Sequence, residues 1–412
     1  MKGAFGMGLN ETPASDRIHI GIFGKRNAGK SSIINAMTSQ DLAIVSDIGG
    51  TTTDPVYKSM ELLPLGPVVL IDTPGIDDEG PLGSLRVKKS YQVLNKTDIA
   101  LLVTDQPRLS AQDLALLERI RSKNIPCVIA YNKCDRYPEF SPSGSSEIAV
   151  SAQKNIRIRE LRELIARQYR AEDEKMRIVA DLLHPSDFVV LVVPIDKAAP
   201  KGRLILPQQQ TIRDILEADA AAIVVKEYEL RQTLSELGKK PRMVITDSQV
   251  FAKVSADTPT DILLTSFSIL MARYKGVLEQ AVAGVTAVDT LKDHDTVLIS
   301  EGCTHHRQCD DIGTVKLPRW ITNHTGKKLQ FCFTSGTEFP DDLSPYRLIV
   351  HCGGCMQNER EMKYRMRCAK EQHVPMTNYG TLIAYMQGIL KRSVEPFPHI
   401  AILLDETEEE RP

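Results

Sequence analysis

The chain has 412 residues, 42% hydrophobic and 25% charged, with 51 Lys plus Arg against 53 Asp plus Glu and a formal charge of -2. That length exceeds what one hydrophobic core normally organises, so two or three domains are expected, and the ordinary composition excludes wholesale disorder. The balanced charge excludes an overall positive field able to hold nucleic acid by counterion release and leaves only local patches for that purpose.

The first 16 residues form a tail without a sustained apolar core, so they read as neither a signal peptide nor a transit sequence. Apolar runs such as Phe188 to Ile195 fall far short of the roughly 20 residues a membrane helix needs. A cytoplasmic protein is expected.

Residues 17 to 178 alternate strand-like runs (RIHIGIFG, PVVLIDTPG, DIALLVTD, PCVIAYNKCD, SEIAVSA) with helical patterns such as SSIINAMTS and LSAQDLALLERIRS. This alternation predicts an α/β domain with a mostly parallel, doubly wound sheet. Residues 179 to 260 repeat the pattern on a smaller scale: strand FVVLVVPID, helix QQQTIRDILEAD, strand AAAIVVKE, helix ELRQTLSELG, strand PRMVITD, then the turn-rich joint SADTPTD. Residues 261 to 412 make a third α/β series. It opens on one long helix over 263 to 291, continues with strand TVLIS, helix-like TVKLPRWITNHTG, strands KLQFCFTSG and YRLIVHC and helix NEREMKYRMRCAKEQ, and ends on an acidic tail expected to fray.

Between the strand IHIGIF and the helix SSIINAM lies Gly24-Lys25-Arg26-Asn27-Ala28-Gly29-Lys30-Ser31-Ser32, a G-x-x-x-x-G-K-[ST] phosphate loop in the context the motif requires. Its glycines let backbone N–H groups converge on phosphates, and the helix N-terminus adds its positive end. Lys30 is placed to neutralise the β- and γ-phosphates, and the Ser31 hydroxyl to bind Mg²⁺. After the strand VVLI, Asp72 in Asp72-Thr73-Pro74-Gly75 is placed to hold the Mg²⁺ shell, and Gly75 to read the γ-phosphate through its N–H. Asn132-Lys133-Cys134-Asp135 resembles the base-reading motif of GTPases, with Asp135 accepting both guanine N–H donors, and Ser151-Ala152 resembles their last base-contacting loop.

Ile76 stands where Ras-like switches carry a water-orienting Gln, so slow intrinsic hydrolysis is expected unless another group supplies charge. Asn27 and Gly50-Thr51-Thr52-Thr53-Asp54 resemble the potassium-activated, TrmE/Era-like GTPases of tRNA modification and ribosome assembly. The resemblance implies that Asn27 helps hold a K⁺ beside the transferring phosphoryl group. It also implies that Thr52 completes the Mg²⁺ shell, with Thr51 as the alternative.

Eight cysteines are spread unevenly, six of them after residue 300. Cys127 reads as a small core residue. Cys303-Thr304-His305 follows the strand TVLIS, and His351-Cys352-Gly353-Gly354-Cys355 follows the strand YRLIV, so both groups leave the carboxyl ends of strands, where α/β sheets gather ligand-binding residues. Three thiolates with His305 and His351, as ligands or as donors around the site, suit either a closed zinc site or a four-iron cluster, and spacing leaves the two open. Cys309 reads as a free thiol, or as a fourth thiolate if the loop THHRQ folds back, His306 as solvent-facing, and Cys332 and Cys368 as core residues.

A potassium-type GTPase domain, a small α/β domain, and a C-x-H followed some 45 residues later by H-C-x-x-C together resemble the maturation GTPases of FeFe-hydrogenase, the HydF family. The resemblance runs from about residue 15 to 400. It implies that Cys303, Cys352 and Cys355 bind a 4Fe-4S cluster and that the middle domain forms a homodimer. It also implies that a di-iron precursor, built with the radical-SAM maturases HydE and HydG, is carried to apo FeFe-hydrogenase. The alternative is a potassium-activated GTPase of tRNA modification or ribosome assembly stapled by structural zinc.

Overall fold

The structure is a computed structural model that describes residues 12–38, 55–76, 80–169, 176–195, 204–302 and 311–409. The chain divides into two compact units, one up to residue 173 and one from residue 174.

The first unit runs β1 Ile18–Gly24, α1 Lys30–Thr38, β2 Val56–Leu62, β3 Gly66–Asp72, α2 Gly80–Leu94, β4 Ile99–Thr104, α3 Ala111–Ser122, β5 Cys127–Tyr131, β6 Glu147–Ala149 and α4 Ile158–Gln168. Its sheet has the order β2-β3-β1-β4-β5-β6. Every residue of β1 and β4 is buried, as strands covered by helices on both faces require. Helix α3 starts on a reciprocal capping box between Ser110 and Asp113, and α4 turns Ile158, Leu161 and Ile165 inward at helical spacing. Among the described strands of this sheet only β2 runs antiparallel, pairing with β3 from Val56↔Asp72 to Leu62↔Gly66. It escapes the strand pattern because VYKSMEL, at the sheet edge, buries only Leu62 fully.

The second unit contains two four-stranded parallel sheets. Its first part runs β7 Phe188–Val192, α5 Leu206–Glu217, β8 Ala221–Val225, α6 Leu230–Glu236, β9 Met243–Thr246, α7 Phe251–Asp257 and β10 Leu263–Ser266, with sheet order β10-β9-β7-β8. There follow α8 Phe267–Tyr274, α9 Leu278–Val285, β11 Thr296–Glu301, α10 Leu317–Thr325, β12 Gln330–Ser335, β13 Leu348–His351, α11 Glu359–Glu371, β14 Met376–Asn378, α12 Tyr379–Met386, α13 Leu390–Val394 and α14 Pro398–Glu409. The last sheet has the order β12-β11-β13-β14. One continuous apolar core, from Ile178 to Leu404, runs under both sheets.

Three expectations are corrected here. The 263 to 291 stretch is not one helix. Leu263–Ser266 pairs with β9, the Ser266 hydroxyl then caps α8 by accepting from the Ile269 N–H, and Gly276 at φ +66° separates α8 from α9. The acidic tail does not fray before Glu409, because α14 extends that far from an apolar start that buries Ile400 and Leu404. Cys332 is exposed rather than core, because β12 is an edge strand. Among the described residues no helix is long and apolar enough to cross a membrane.

Candidate functional site

Strand β1 ends at Gly24, whose φ of +146° and approach to β4 admit no side chain: a Cβ there would lie 2.2 Å from the Val103 carbonyl oxygen. The loop then delivers Lys30 to the first turn of α1. Lys30 is buried, and its Nζ donates to the carbonyls of Gly24 (3.0 Å) and Lys25 (2.7 Å), which holds the ammonium at the loop. Ser32 is half-buried on the same turn, and Asn27 is exposed in the left-handed region at φ +62°.

At the end of β3 the Ser31 hydroxyl donates to Asp72 Oδ2 at 2.6 Å, so the two expected Mg²⁺ donors meet directly. Burial raises the Asp72 pKa, against the hydrogen bond from Ser31 and the charges of Lys30 and Lys58. A carboxylate and a hydroxyl oxygen held together, with burial penalising the bare carboxylate, fit a hard divalent cation. Thr73 is pinned by its hydroxyl to the Ile22 carbonyl at 2.7 Å, which sets the turn leading to Gly75. Ile76 is buried.

The segment Asn132-Lys133-Cys134-Asp135 braces the same loop. Asn132 Nδ2 donates to the Ala28 carbonyl at 3.0 Å and its Oδ1 accepts from the Ala152 N–H at 3.1 Å, so one amide ties the phosphate loop to the Ser151 loop. Lys133 donates to the Asn27 carbonyl and to Asp105, both at 2.8 Å. A hydrogen bond from the Ser151 side chain holds the Asp135 carboxyl below the usual carboxylate range. Lys154 Nζ lies 3.5 Å from that carboxylate. An ionised carboxylate is the acceptor that two guanine N–H donors need.

In the second unit, β11 and β13 lie side by side and parallel, with Ser300 opposite His351. Gly302 and the Cys352 loop therefore leave the same end of the sheet. Cys352 Sγ accepts from the Gly302 N–H at 3.0 Å and from the Gly354 N–H at 3.4 Å. Gly354 itself is left-handed at φ +64°, and a Cβ there would lie 2.6 Å from Met362 Sδ. Burial pushes the Cys352 thiol up and the Cys355 thiol to about 12, while Arg365 and Lys275, both buried, oppose those shifts at Cys352 and Cys355 respectively. The converging N–H donors and the buried cations favour thiolates against that burial, as ligands that carry charge onto a bound cluster need.

Thr51, Thr52, Cys303, His305, His306 and Cys309 lie outside the described residues. Among the described residues no three His, Cys, Asp or Glu side chains gather into a metal-binding group. His351 is 1% exposed; its Nδ1 is 2.7 Å from the Cys352 carbonyl oxygen and its Nε2 is 3.0 Å from Arg365 Nη1. Burial, with the Arg365 guanidinium beside it, lowers the His351 pKa to about 3. Sequence reasoning missed Arg365, Gln357, Lys58 and Lys154. Arg365 left one signal, a charged residue spaced four after Glu361 on the face where α11 also buries Met362 and Met366.

A mostly parallel sheet with a G-x-x-x-x-G-K-[ST] loop after β1, an Asp at the end of β3 and an Asn-Lys-x-Asp segment after β5 is the arrangement of the P-loop GTPases, and the first unit is such a domain. A family model for 50S ribosome-binding GTPases matches residues 19–133. The hydrogen maturase F dimerization domain model matches residues 178–276 and the hydrogen maturase F tetramerization domain model residues 279–396, and the chain belongs to the hydrogen maturase F family.

Among curated relatives, the tRNA modification GTPase MnmE of Parabacteroides distasonis is 34% identical over 159 residues, 36% of this chain and 34% of that protein. MnmE of Synechococcus sp. is 39% identical over 123 residues, 29% of this chain and 26% of that protein. The chain thus spans about a third or less of the length of these relatives. Aquifex aeolicus Era bound to GDP and aluminium fluoride aligns with a TM-score of 0.32 and 18% identity, over 51% of this chain and 94% of that one.

Proposed function

We propose that this chain hydrolyses GTP with Mg²⁺ and K⁺, and that it serves as scaffold and carrier for the di-iron precursor of the FeFe-hydrogenase active site. In this reading Cys303, Cys352 and Cys355 hold a resident 4Fe-4S cluster, with His305 in the same loop as Cys303. HydE and HydG supply the precursor's parts, apo FeFe-hydrogenase receives it, and nucleotide state times partner exchange. The cluster would supply an iron at which a bridging ligand of the cargo attaches.

The observation that carries the reading is the bond from the Gly302 N–H to Cys352 Sγ, since it brings the end of β11, one residue before Cys303, onto the loop that bears Cys352 and Cys355. The family models for the second unit support the hydrogenase direction.

In the first unit Lys30 neutralises the transferring phosphoryl group, Ser31, Asp72 and Thr52 hold Mg²⁺, Gly75 reads the γ-phosphate, and Asn27 takes part in holding K⁺. Ile76 supplies no water-orienting amide, and a K⁺ held near Asn27 would supply charge stabilisation in its place. A homodimer is supported by the dimerization model and by β8, an edge strand of alanines, valines and isoleucine that is only partly covered, with Val224 46% exposed.

The test is anaerobic purification followed by iron, sulfide and zinc analysis and an absorption spectrum, before and after reconstitution. About four irons per chain, lost on Cys303→Ser, Cys352→Ser or Cys355→Ser, is the expected result. One tightly bound zinc in a colourless protein would replace it with a structural staple.

A further inference from the structure

Arg365 is fully buried and makes four hydrogen bonds: Nε to Glu361 Oε1 at 2.8 Å, Nη1 to Ser300 Oγ at 3.3 Å and to His351 Nε2 at 3.0 Å, and Nη2 to the Gly336 carbonyl at 2.9 Å. Its guanidinium also stands 5.1 Å from the centre of the Phe339 ring. Ser300 lies on β11, His351 ends β13, and Gly336 follows β12, so one side chain ties together the carboxyl ends of three adjacent strands. Gln357 repeats the arrangement, with Nε2 donating to the carbonyls of Gly302 (3.0 Å) and Gly336 (2.7 Å).

The chemistry of these partners fixes the state of His351. A guanidinium can only donate, so Nε2 of His351 accepts and carries no proton. A carbonyl oxygen can only accept, so Nδ1 carries the proton and donates to Cys352. The ring is therefore a neutral Nδ1–H tautomer with both nitrogens committed, and neither has a lone pair for a metal.

A buried ion pair such as Glu361 and Arg365 contributes little stability beyond what apolar side chains of the same size would give, and its remaining value lies in fixing one arrangement. What it fixes here is the backbone on either side of Cys352.

We infer that His351 of the HCGGC motif ligates no metal, and that Arg365 and His351 are positioning residues: a buried splint from α11 through the imidazole to the Cys352 carbonyl that holds the Cys352 loop against the end of β11. The inference rests on the proposed cluster site for its purpose but on metal-free geometry for its content. His351→Gln tests it, because the amide Nε2 can still donate to the Cys352 carbonyl while Oε1 accepts from Arg365.

Two measurements decide. In the metal-free full chain, alkylation of Cys352 and Cys355 is followed by mass spectrometry for wild type and Arg365→Lys. Circular dichroism confirms that each is folded. Alkylation of Cys352 about tenfold faster is expected in Arg365→Lys, which keeps the cation that favours the thiolate while loosening the loop. An unchanged rate in the folded variant overturns the splint.

After reconstitution with iron and sulfide, pulsed paramagnetic resonance on ¹⁵N-histidine-labelled protein compares wild type with His351→Gln. Iron content within about twofold of wild type, with the same nitrogen couplings, is expected. A directly coupled histidine nitrogen that disappears in His351→Gln makes His351 a ligand and overturns the inference. If the wild-type chain takes up no iron, the cluster reading falls, and the alkylation rates still decide the splint.

Discussion

Gly29 and Asn132 meet across the nucleotide site: a Cβ on Gly29 would lie 2.1 Å from Asn132 Nδ2, the atom that donates to the Ala28 carbonyl. The phosphate loop and the base-reading loop are thus in direct contact, and Gly29, at φ +91°, is required on two counts. Gly29→Ala is expected to cost about 1 to 3 kcal/mol of backbone strain besides displacing Asn132. Chemical denaturation of the full chain and GDP titration measure the two effects, and loss of stability with undiminished GDP affinity would show that Asn132 does not couple the loops.

Asp72 gives a prediction with a definite sign. Its folded pKa is raised above the ordinary 3.8 by burial, so the folded chain binds this proton more tightly than the unfolded chain does. The associated stability is therefore present at low pH and is lost as pH rises through the raised value. Asp72→Asn removes that loss, and in metal-free buffer at neutral pH it is expected to leave the melting temperature of the first unit equal or higher. Mg²⁺ should stabilise wild type and not the variant.

Asp135→Asn is expected to weaken GTP binding by about 2 to 3 kcal/mol and to move preference toward xanthine nucleotides, whose base offers an acceptor where guanine donates. Competition binding with GTP and XTP checks this. Unchanged GTP affinity would remove Asp135 from base recognition.

Potassium is checked by comparing hydrolysis in K⁺ and Na⁺ at constant ionic strength. If a cation near Asn27 stabilises the transition state, hydrolysis is expected to be about a hundredfold faster in K⁺, the scale of one preorganised electrostatic group. Equal rates would take Asn27 out of the mechanism.

Val224→Lys places a charge on the β8 edge, a standard means of blocking strand pairing. Sedimentation of the full chain is expected to show a smaller assembly than the wild type. An assembly of unchanged size would move the interface off this strand.

The nucleotide site was legible because its chemistry is local. The phosphate-loop motif is a contiguous run from Gly24 to Ser31, and each further motif sits at the end of an apolar strand, so spacing and period were enough to put Asp72, Asn132 and Asp135 at strand ends. Cys352 and Cys355 were legible for the same reason, as two thiols separated by a glycine turn. What spacing misses is weak local pattern: β2 is half exposed and β14 is only Met376–Asn378. Ser266 and Gly276 break a continuous apolar run into strand, helix and helix, and neither break can be told by hydrophobicity alone.

The sequence by itself determined the phosphate-loop and C-x-x-C motifs, because backbone conformation and residue type within eight or nine positions are all that either requires. The tertiary structure decided what His351 faces. Its ring nitrogens meet a carbonyl one residue away and a guanidinium fourteen residues on, and that guanidinium also reaches Ser300, 65 residues back. Whether an imidazole ligates metal or holds a loop depends on what its two nitrogens face, and only the packing of α11 against the ends of β11, β12 and β13 settles that.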